Sequence, residues 1–251
     1  MLEVAGITQI FGGVTALEDV SFSMNKGDIT GVIGPNGAGK TTLFNIITGI
    51  YCQSAGRVIL NNADVSGLPP EKLARLGLVR TFQNIELFGG MTVLENVMVG
   101  LHTRSSSGLL ACSLRMPWSR REEKRIRAGA MKWLEFAGIT DLADVTAGNL
   151  PFGKGRMLEI ARALAVEPGI ILMDEPAAGL NSQETLGLAR LIQRIRDLGI
   201  TVVLVEHDME LVMDICDRIV VLNLGRKLAE GTPREIQENH AVIAAYLGDD
   251  D

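Results

Sequence analysis

The chain has little of what several protein classes require. Aromatic residues make up only 4% of its 251 positions, and there are three cysteines. Cys52, Cys112 and Cys216 lie far apart with no metal-like spacing, so neither a disulfide framework nor a cysteine metal site is expected. Their odd number and scatter suit a reducing compartment. No run approaches the ~18 consecutive apolar residues of a membrane span. The opening Met1-Leu2-Glu3 lacks a basic stretch followed by an apolar run, so no signal peptide is expected. Positive charge is not in excess either: 24 Lys and Arg against 30 Asp and Glu leave a net charge of −6. That balance argues against broad binding to nucleic acid or anionic membrane. Internal repeats and low-complexity segments are absent. What is present is a globular composition, 47% hydrophobic and 22% charged, in a chain long enough to bury a sizeable core.

The apolar pattern changes along the chain. Val4, Ile7 and Ile10 mark one short strand, and Val20, Phe22 and Met24 alternate with polar residues in another. Gly12-Gly13 and Asn25-Lys26-Gly27-Asp28 read as turns. Ile29–Ile33 is a compact apolar strand, followed by a glycine-rich loop and a helix from about 40 to 47. Arg57–Leu60 is a further strand. Residues 86–155 are mainly helical in period, with an irregular patch at 103–118 and a charged helix over 120–137. Strands then return at 170–173, 201–205 and 218–223, with helices at 183–198 and 208–216 between them. This alternation predicts an α/β fold with a mostly parallel sheet covered on both faces. The expected division is a core of 1–85 and 156–251 with a helical subdomain at 86–155.

The loop Gly34-Pro35-Asn36-Gly37-Ala38-Gly39-Lys40-Thr41-Thr42 has the G-x-x-x-x-G-K-T pattern between a strand and a helix. Triphosphate oxygens require several convergent N–H groups, and glycines let the backbone curl to present them. The helix N-terminus adds its dipole. Lys40 is expected at the β- and γ-phosphates of ATP, and the Thr41 hydroxyl on Mg²⁺. A second strand, Ile170–Met173, delivers the adjacent acids Asp174 and Glu175. At the ligand edge of such a sheet, Asp174 suits a Mg²⁺ ligand and Glu175 suits a base for water. Taken alone, such an acid pair also reads as a solvated turn. A third strand, Thr201–Val205, leads to His207, a candidate for the γ-phosphate, whereas His102 and His240 read as structural. Gln83 lies where the core gives way to the helical region. Its amide could bridge Mg²⁺ and the attacking water, though spacing alone does not single it out. The basic group Arg115, Arg120, Arg121, Lys124, Arg125 and Arg127 is interrupted by Glu122 and Glu123 and reads as a solvated helix face.

In this order, the phosphate loop, Gln83, Asp174, Glu175 and His207 resemble the ATP-binding subunits of ABC transporters over nearly the whole chain. The resemblance implies a P-loop NTPase core of RecA-like type, with an N-terminal antiparallel β region and an inserted helical subdomain that carries a signature sequence. It implies Phe11 as the aromatic that stacks on adenine, a position that otherwise reads as an ordinary core Phe. It also implies Mg²⁺-dependent ATP hydrolysis by two ATPase subunits facing head to tail. Two transmembrane permease subunits would hold them at the cytoplasmic face of the membrane. Phe11-Gly12-Gly13, Thr81-Phe82-Gln83, Pro176–Asn181, Val205–Met209 and Ala244–Gly248 are similar to the ATPases of branched-chain amino acid importers, as is the segment Leu101–Trp118. That branch implies import of such amino acids or a related small polar solute, with a periplasmic or extracellular solute-binding protein as indirect partner. The general motifs fit an exporter of lipid or lipopolysaccharide equally. DNA-repair and translation ATPases would need a coiled coil, a zinc module or a second ATPase half. A regulatory subunit that binds ATP without hydrolysing it would not need Lys40, Asp174, Glu175 and His207 together.

One segment departs from the family pattern. Where the general signature begins L-S-G-G-Q, the chain has Leu150-Pro151-Phe152-Gly153-Lys154. Pro151 replaces the serine whose hydroxyl meets the partner subunit's γ-phosphate. Proline is compatible with the first turn of a helix, and Gly153 keeps an N–H available.

Overall fold

The computed structural model describes residues 2–81, 85–102 and 117–247. The chain divides into two compact units: Met1–Gln83, Gly169–Ala178 and Thr185–Asp251 form the first, and Asn84–Pro168 with Gly179–Glu184 the second.

The first unit contains two sheets. β1 (Leu2–Phe11) and β2 (Val14–Met24) pair as a hairpin, and β4 (Ala55–Leu60) and β5 (Ala63–Asp64) extend it. The resulting antiparallel order is β2-β1-β4-β5. The larger sheet comprises β3 (Ile29–Ile33), β6 (Leu78–Thr81), β7 (Ile170–Asp174), β8 (Thr201–Val205), β9 (Arg218–Asn223) and β10 (Arg226–Gly231). Its order is β10-β9-β3-β8-β7-β6, parallel throughout except for the β9–β10 hairpin. Every residue of β3, β7 and β8 is buried. Their largely apolar sequences, without alternation, follow from cover on both faces.

The helix α1 (Lys40–Ile47) follows β3 and sends Leu43, Phe44 and Ile47 inward. They join Leu17, Val20 and Phe22 of β2 and Leu172, Val203, Val205 and Leu222 of the parallel sheet in one core. At roughly 25 cal/mol per Å² of apolar area removed from water, each such side chain contributes about 1.5–3 kcal/mol. The remaining helices assigned wholly to this unit are α2 (Pro70–Arg75), α7 (Met209–Ile215), α8 (Pro233–Gln237) and α9 (His240–Leu247). Another helix, α6 (Ser182–Asp197), begins in the second unit's share of the chain and continues in the first. Cys216 is buried, which pushes its thiol up to about 12, whereas Cys52 is exposed.

The second unit holds α3 (Val93–His102), α4 (Pro117–Ala137) and α5 (Phe152–Leu164). Val93, Val97, Ala130, Leu134, Leu158 and Ala161 meet in its core. Thr92 and Glu95 cap α3 reciprocally: the Glu95 N–H donates to the Thr92 hydroxyl and the Thr92 N–H to the Glu95 carboxylate. Buried Asn96 fixes the preceding loop by accepting from the Phe88 N–H and donating to the Phe88 and Thr92 carbonyls.

The structure moves the expected domain boundary. The helical unit runs on to Pro168 and also takes in Gly179–Glu184, because Leu158, Ala161 and Ala165 bury against residues of α3 and α4. The elements β5, α2, β6, β10, α8 and α9 are additions to the expected pattern. At the sheet edge, β10 has three exposed residues, Arg226, Lys227 and Leu228, and only Leu228 and Ala229 are adjacent apolar residues, which removes the apolar signal. On α4, Lys124, Arg125 and Arg127 are exposed around buried Ile126, in keeping with a solvated face. Arg115 and the side chains of Arg120 and Arg121 lie outside the described part, as does the expected irregular patch at 103–118 up to residue 116; its last two residues, Pro117 and Trp118, open α4 instead. Among the described residues no helix is long and apolar enough to cross a membrane.

Candidate functional site

The phosphate loop leaves β3 at its C-terminal end and enters α1 at Lys40. Two of its glycines are required by close approach. A Cβ on Gly34 would stand 2.1 Å from the Leu222 carbonyl oxygen, and one on Gly39, at φ 101°, would stand 2.6 Å from the Leu17 side chain. α1 has no side-chain cap and no acid in its first turn. Its first N–H groups and the positive end of its dipole are therefore open to an anion. Lys40 is buried, and its ammonium donates to the carbonyls of Gly34 (2.6 Å) and Pro35 (2.9 Å). Burial lowers its pKa, while the carboxylates of Glu175 and Asp174 act in the opposite direction. A cavity of about 600 Å³ is lined by Asn36–Thr42, Glu175 and His207, together with Val14–Ala16, Leu224 and Gly225.

The parallel sheet delivers the other groups. β8 lies between β3 and β7, so the ends of these three strands are adjacent. Asp174 is buried and ion-paired with Arg80 of β6. Glu175 adopts φ 46° and its N–H donates to the Val205 carbonyl at 2.9 Å. Its Oε1 is 2.9 Å from Nε2 of His207, which is half-exposed. The residue before His207, Glu206, is 3% exposed, and its two oxygens accept from the Ala177 N–H (2.7 Å) and the His207 N–H (3.1 Å). Burial raises the Glu206 pKa against the opposing effect of these N–H donors. One buried carboxylate thus ties the turn after Glu175 to the backbone of His207. The site combines an anion cradle, a lysine, a carboxylate–imidazole contact and a second carboxylate on neighbouring strand ends. Such a set can hold a polyphosphate and take a proton from an attacking water.

Thr41 and Asp174 offer a hydroxyl and a carboxylate, hard oxygen donors of the type Mg²⁺ takes. Among the described residues no group of three or more His, Cys, Asp or Glu could hold a metal.

In the second unit, Pro151 is the N-cap of α5, one place before the first helical residue, rather than within the first turn. Its carbonyl accepts from the Gly155 N–H at 2.9 Å. Leu150 is half-buried, Phe152 is exposed and Gly153 is buried. The Glu184 carboxylate occupies the space a Cβ on Gly153 would need, 2.2 Å from its ideal position, so a larger residue there would have to displace that side chain. α5 has neither a side-chain cap nor an acid in its first turn.

Comparison with known families and structures accounts for this arrangement. The ABC transporter family model matches residues 17–178. The chain belongs to the ABC transporter ATP-binding family. It is an ATPase of that family. A second model, the branched-chain amino acid ATP-binding cassette transporter, matches residues 226–251. The chain is 46% identical over 250 residues to the high-affinity branched-chain amino acid transport ATP-binding protein BraF of Pseudomonas aeruginosa, covering 99% of this chain and 98% of that one. Its structure resembles an ATP-binding cassette of an ABC transporter in the ADP conformation, with TM-score 0.86, 36% identity and coverage of 99% and 98%. It also resembles a dimeric cassette in a post-hydrolysis state bound to ADP and Pi, with TM-score 0.78, 27% identity and coverage of 93% and 99%.

Within this cassette, Asn36–Thr42, Glu175 and His207 come together around one cavity, while Gly34 and Pro35 hold the Lys40 ammonium through their carbonyls and Asp174 is carried on the neighbouring strand end. Gln83 lies outside the described residues. Phe11 is exposed at the end of β1, edge-on to Tyr51 with ring centroids 5.4 Å apart, and is not among the residues lining the cavity. Its cross-strand neighbour Val14 is, as is Leu224, held at φ 46° in the β9–β10 turn. That turn docks on the loop, since the Gly225 N–H donates to the Ala38 carbonyl. Sequence reasoning misses Val14, Leu224, Arg80 and Glu206, for which no local spacing gives a signal. Tyr246, in the C-terminal segment, has its pKa raised by burial and lowered in part by the Gly34 N–H, so that segment reaches the phosphate loop.

Proposed function

We propose that this cassette is the ATP-hydrolysing subunit of a transporter that imports branched-chain amino acids or a related small polar solute. The observation carrying this reading is 46% identity, over nearly the full length of both chains, to ATP-binding proteins named for branched-chain amino acid transport. These relatives give no support to an exporter. The proposed assembly has a second ATP-binding subunit facing this one head to tail, two permeases, and a solute-binding protein outside the membrane. The cassette would sit at the cytoplasmic face, held by the permeases.

In the proposed mechanism the loop Gly34–Thr42 binds the phosphates of ATP through backbone N–H groups, with Lys40 leaving the Gly34 and Pro35 carbonyls for the β- and γ-phosphate oxygens. Thr41, Asp174 and Gln83 would hold Mg²⁺, which supplies charge neutralisation at those oxygens. Glu175 accepts a proton from the water that attacks the γ-phosphorus. His207, in contact with Glu175, and Lys40 stabilise the charge that develops on the γ-phosphate. Phe11 would take the adenine ring beside Val14. The segment Leu150–Gly153 completes the site of the facing subunit.

The importer reading is tested by reconstituting the chain in liposomes with its permeases and binding protein. ATP-dependent uptake of labelled leucine, isoleucine or valine is expected. Uptake that does not respond to these amino acids, with ATP hydrolysis intact, would reject the solute class. A second test concerns Pro151. The Pro151→Ser hydroxyl can cap α5 and meet the facing γ-phosphate, so the assembled transporter should hydrolyse ATP a few-fold faster and the chain should gain about 0.5–2 kcal/mol of stability. An unchanged rate would remove the idea that proline weakens this half-site.

A further inference from the structure

Arg80 belongs to none of the motifs above. It lies on β6, where it pairs with Leu172 of β7, and its side chain is 7% exposed. One guanidinium nitrogen reaches Asp174 Oδ2 at 2.5 Å, where the carboxylate is itself only 5% exposed. The other donates to Asn45 Oδ1 at 2.7 Å and to Thr48 Oγ1 at 3.2 Å. Both acceptors lie at the C-terminal end of α1, and Thr48 is fixed in turn by donating to the Phe44 carbonyl at 2.7 Å. The guanidinium carbon stands 5.8 Å from the Phe44 ring centroid. A single cation therefore braces the helix of the phosphate loop against the strand that ends in Asp174. Arginine suits this place because its planar fork reaches two sets of acceptors in fixed directions, which an ammonium cannot do.

We propose that Arg80 is a positioning residue that acts as the resident countercation of Asp174 and thereby limits how tightly a divalent cation is held at the phosphate site. The inference rests on the proposed role of Asp174 toward Mg²⁺. A buried carboxylate without a partner is costly, so in the nucleotide-free protein Arg80 supplies the charge that Asp174 needs. A metal ion drawing on the same carboxylate meets a guanidinium already bound to it, and two cations sharing one carboxylate repel each other. Asp174 keeps its place without Arg80 because β7 is paired with β8 up to Asp174 itself, opposite Val205. Removing the guanidinium therefore takes away repulsion more than it takes away position. The metal site would become tighter, and the empty protein less stable.

The test measures Mn²⁺ binding to the full chain with ADP present, by electron paramagnetic resonance of free Mn²⁺, alongside thermal melting with and without Mn²⁺ and ADP. Arg80→Met is expected to tighten Mn²⁺ binding about fivefold, and to lower the melting temperature of the empty protein more than that of the loaded one. Arg80→Lys keeps the charge and should bind Mn²⁺ within about twofold of the unaltered chain. A purely structural Arg80 would move only the melting temperatures, so unchanged or weaker Mn²⁺ binding in Arg80→Met overturns the proposal. Should Arg80→Met fail to fold, Arg80→Gln carries the same expectation, since its amide can still reach Asn45 and Thr48. Asp174→Asn separates this inference from the reading beneath it. If Asp174→Asn alone leaves Mn²⁺ binding unchanged, the metal role of Asp174 is wrong. If it weakens binding, Arg80→Met added to it should produce no tightening, and a tightening there would overturn the countercation role.

Discussion

Glu175→Gln is expected to bind ATP with an affinity within about threefold of the unaltered chain and to lose at least about a hundredfold in turnover, the range seen when a general base is removed. The substitution keeps shape and hydrogen bonding while removing basicity. Glutamine retains an oxygen at the Oε1 position, where it can still meet Nε2 of His207, now 2.9 Å away. The backbone at φ 46°, anchored through its N–H to the Val205 carbonyl, is unaffected by the exchange. Lys40 and the loop N–H groups remain to hold the phosphates, so binding should survive. Titration with a fluorescent ATP analogue gives the affinity, and phosphate release from the assembled transporter gives the rate. Ordinary turnover in this variant would mean that the water loses its proton elsewhere. Alanine would be the poorer choice, because it also frees His207 and merges two effects.

Contiguity explains which parts of this site are legible in the sequence. The phosphate loop is a single run with a strand before it and a helix after it, so its spacing alone announces its chemistry. Asp174 and Glu175 are legible because a buried parallel strand reads as an apolar run and the sheet places its C-terminal end at the ligand edge. Arg80 has no such signal. Its partners Asn45, Thr48 and Asp174 stand 35, 32 and 94 residues away, and only the order β7-β6 beside α1 brings them together. The same holds for Val14 and Leu224, which reach the cavity through two separate hairpins. Boundaries fare worse than elements. The helix after Pro151 reads as the return of the core, yet its inward residues are matched to α3 and α4. Periodicity reports that a helix has an apolar face but not which partner covers that face.

Removing the Glu206 carboxylate is expected to lower turnover about tenfold to a hundredfold, with little change in ATP affinity, because displacement of catalytic groups by about 1 Å has costs of this order. Glu206 lines no part of the cavity, but its two oxygens hold the N–H of Ala177, two residues past Glu175, and the N–H of His207. With Glu206→Ala both buried N–H groups lose their acceptor, and the contact between base and imidazole loses its common anchor. Glu206→Gln keeps one acceptor and should fall between the two in rate. Stability should respond in the other direction with pH. The ordinary pKa of 4.5 is raised in the folded chain by burial, so the folded protein keeps this proton at pH values where the unfolded chain has lost it. The resulting stabilisation is fully present below about 4.5 and disappears as pH rises through the folded value. Glu206→Gln has no proton to lose at that position. Its stability measured against the unaltered chain by chemical denaturation should therefore improve as pH rises from about 4.5 toward the raised folded value, and level off above it. A flat difference across that range would contradict the raised pKa, and unaltered turnover in Glu206→Ala would contradict the anchoring role. A buried carboxyl group is thus retained at some cost in stability above the raised pKa, because it fixes Glu175 and His207 within reach of one another.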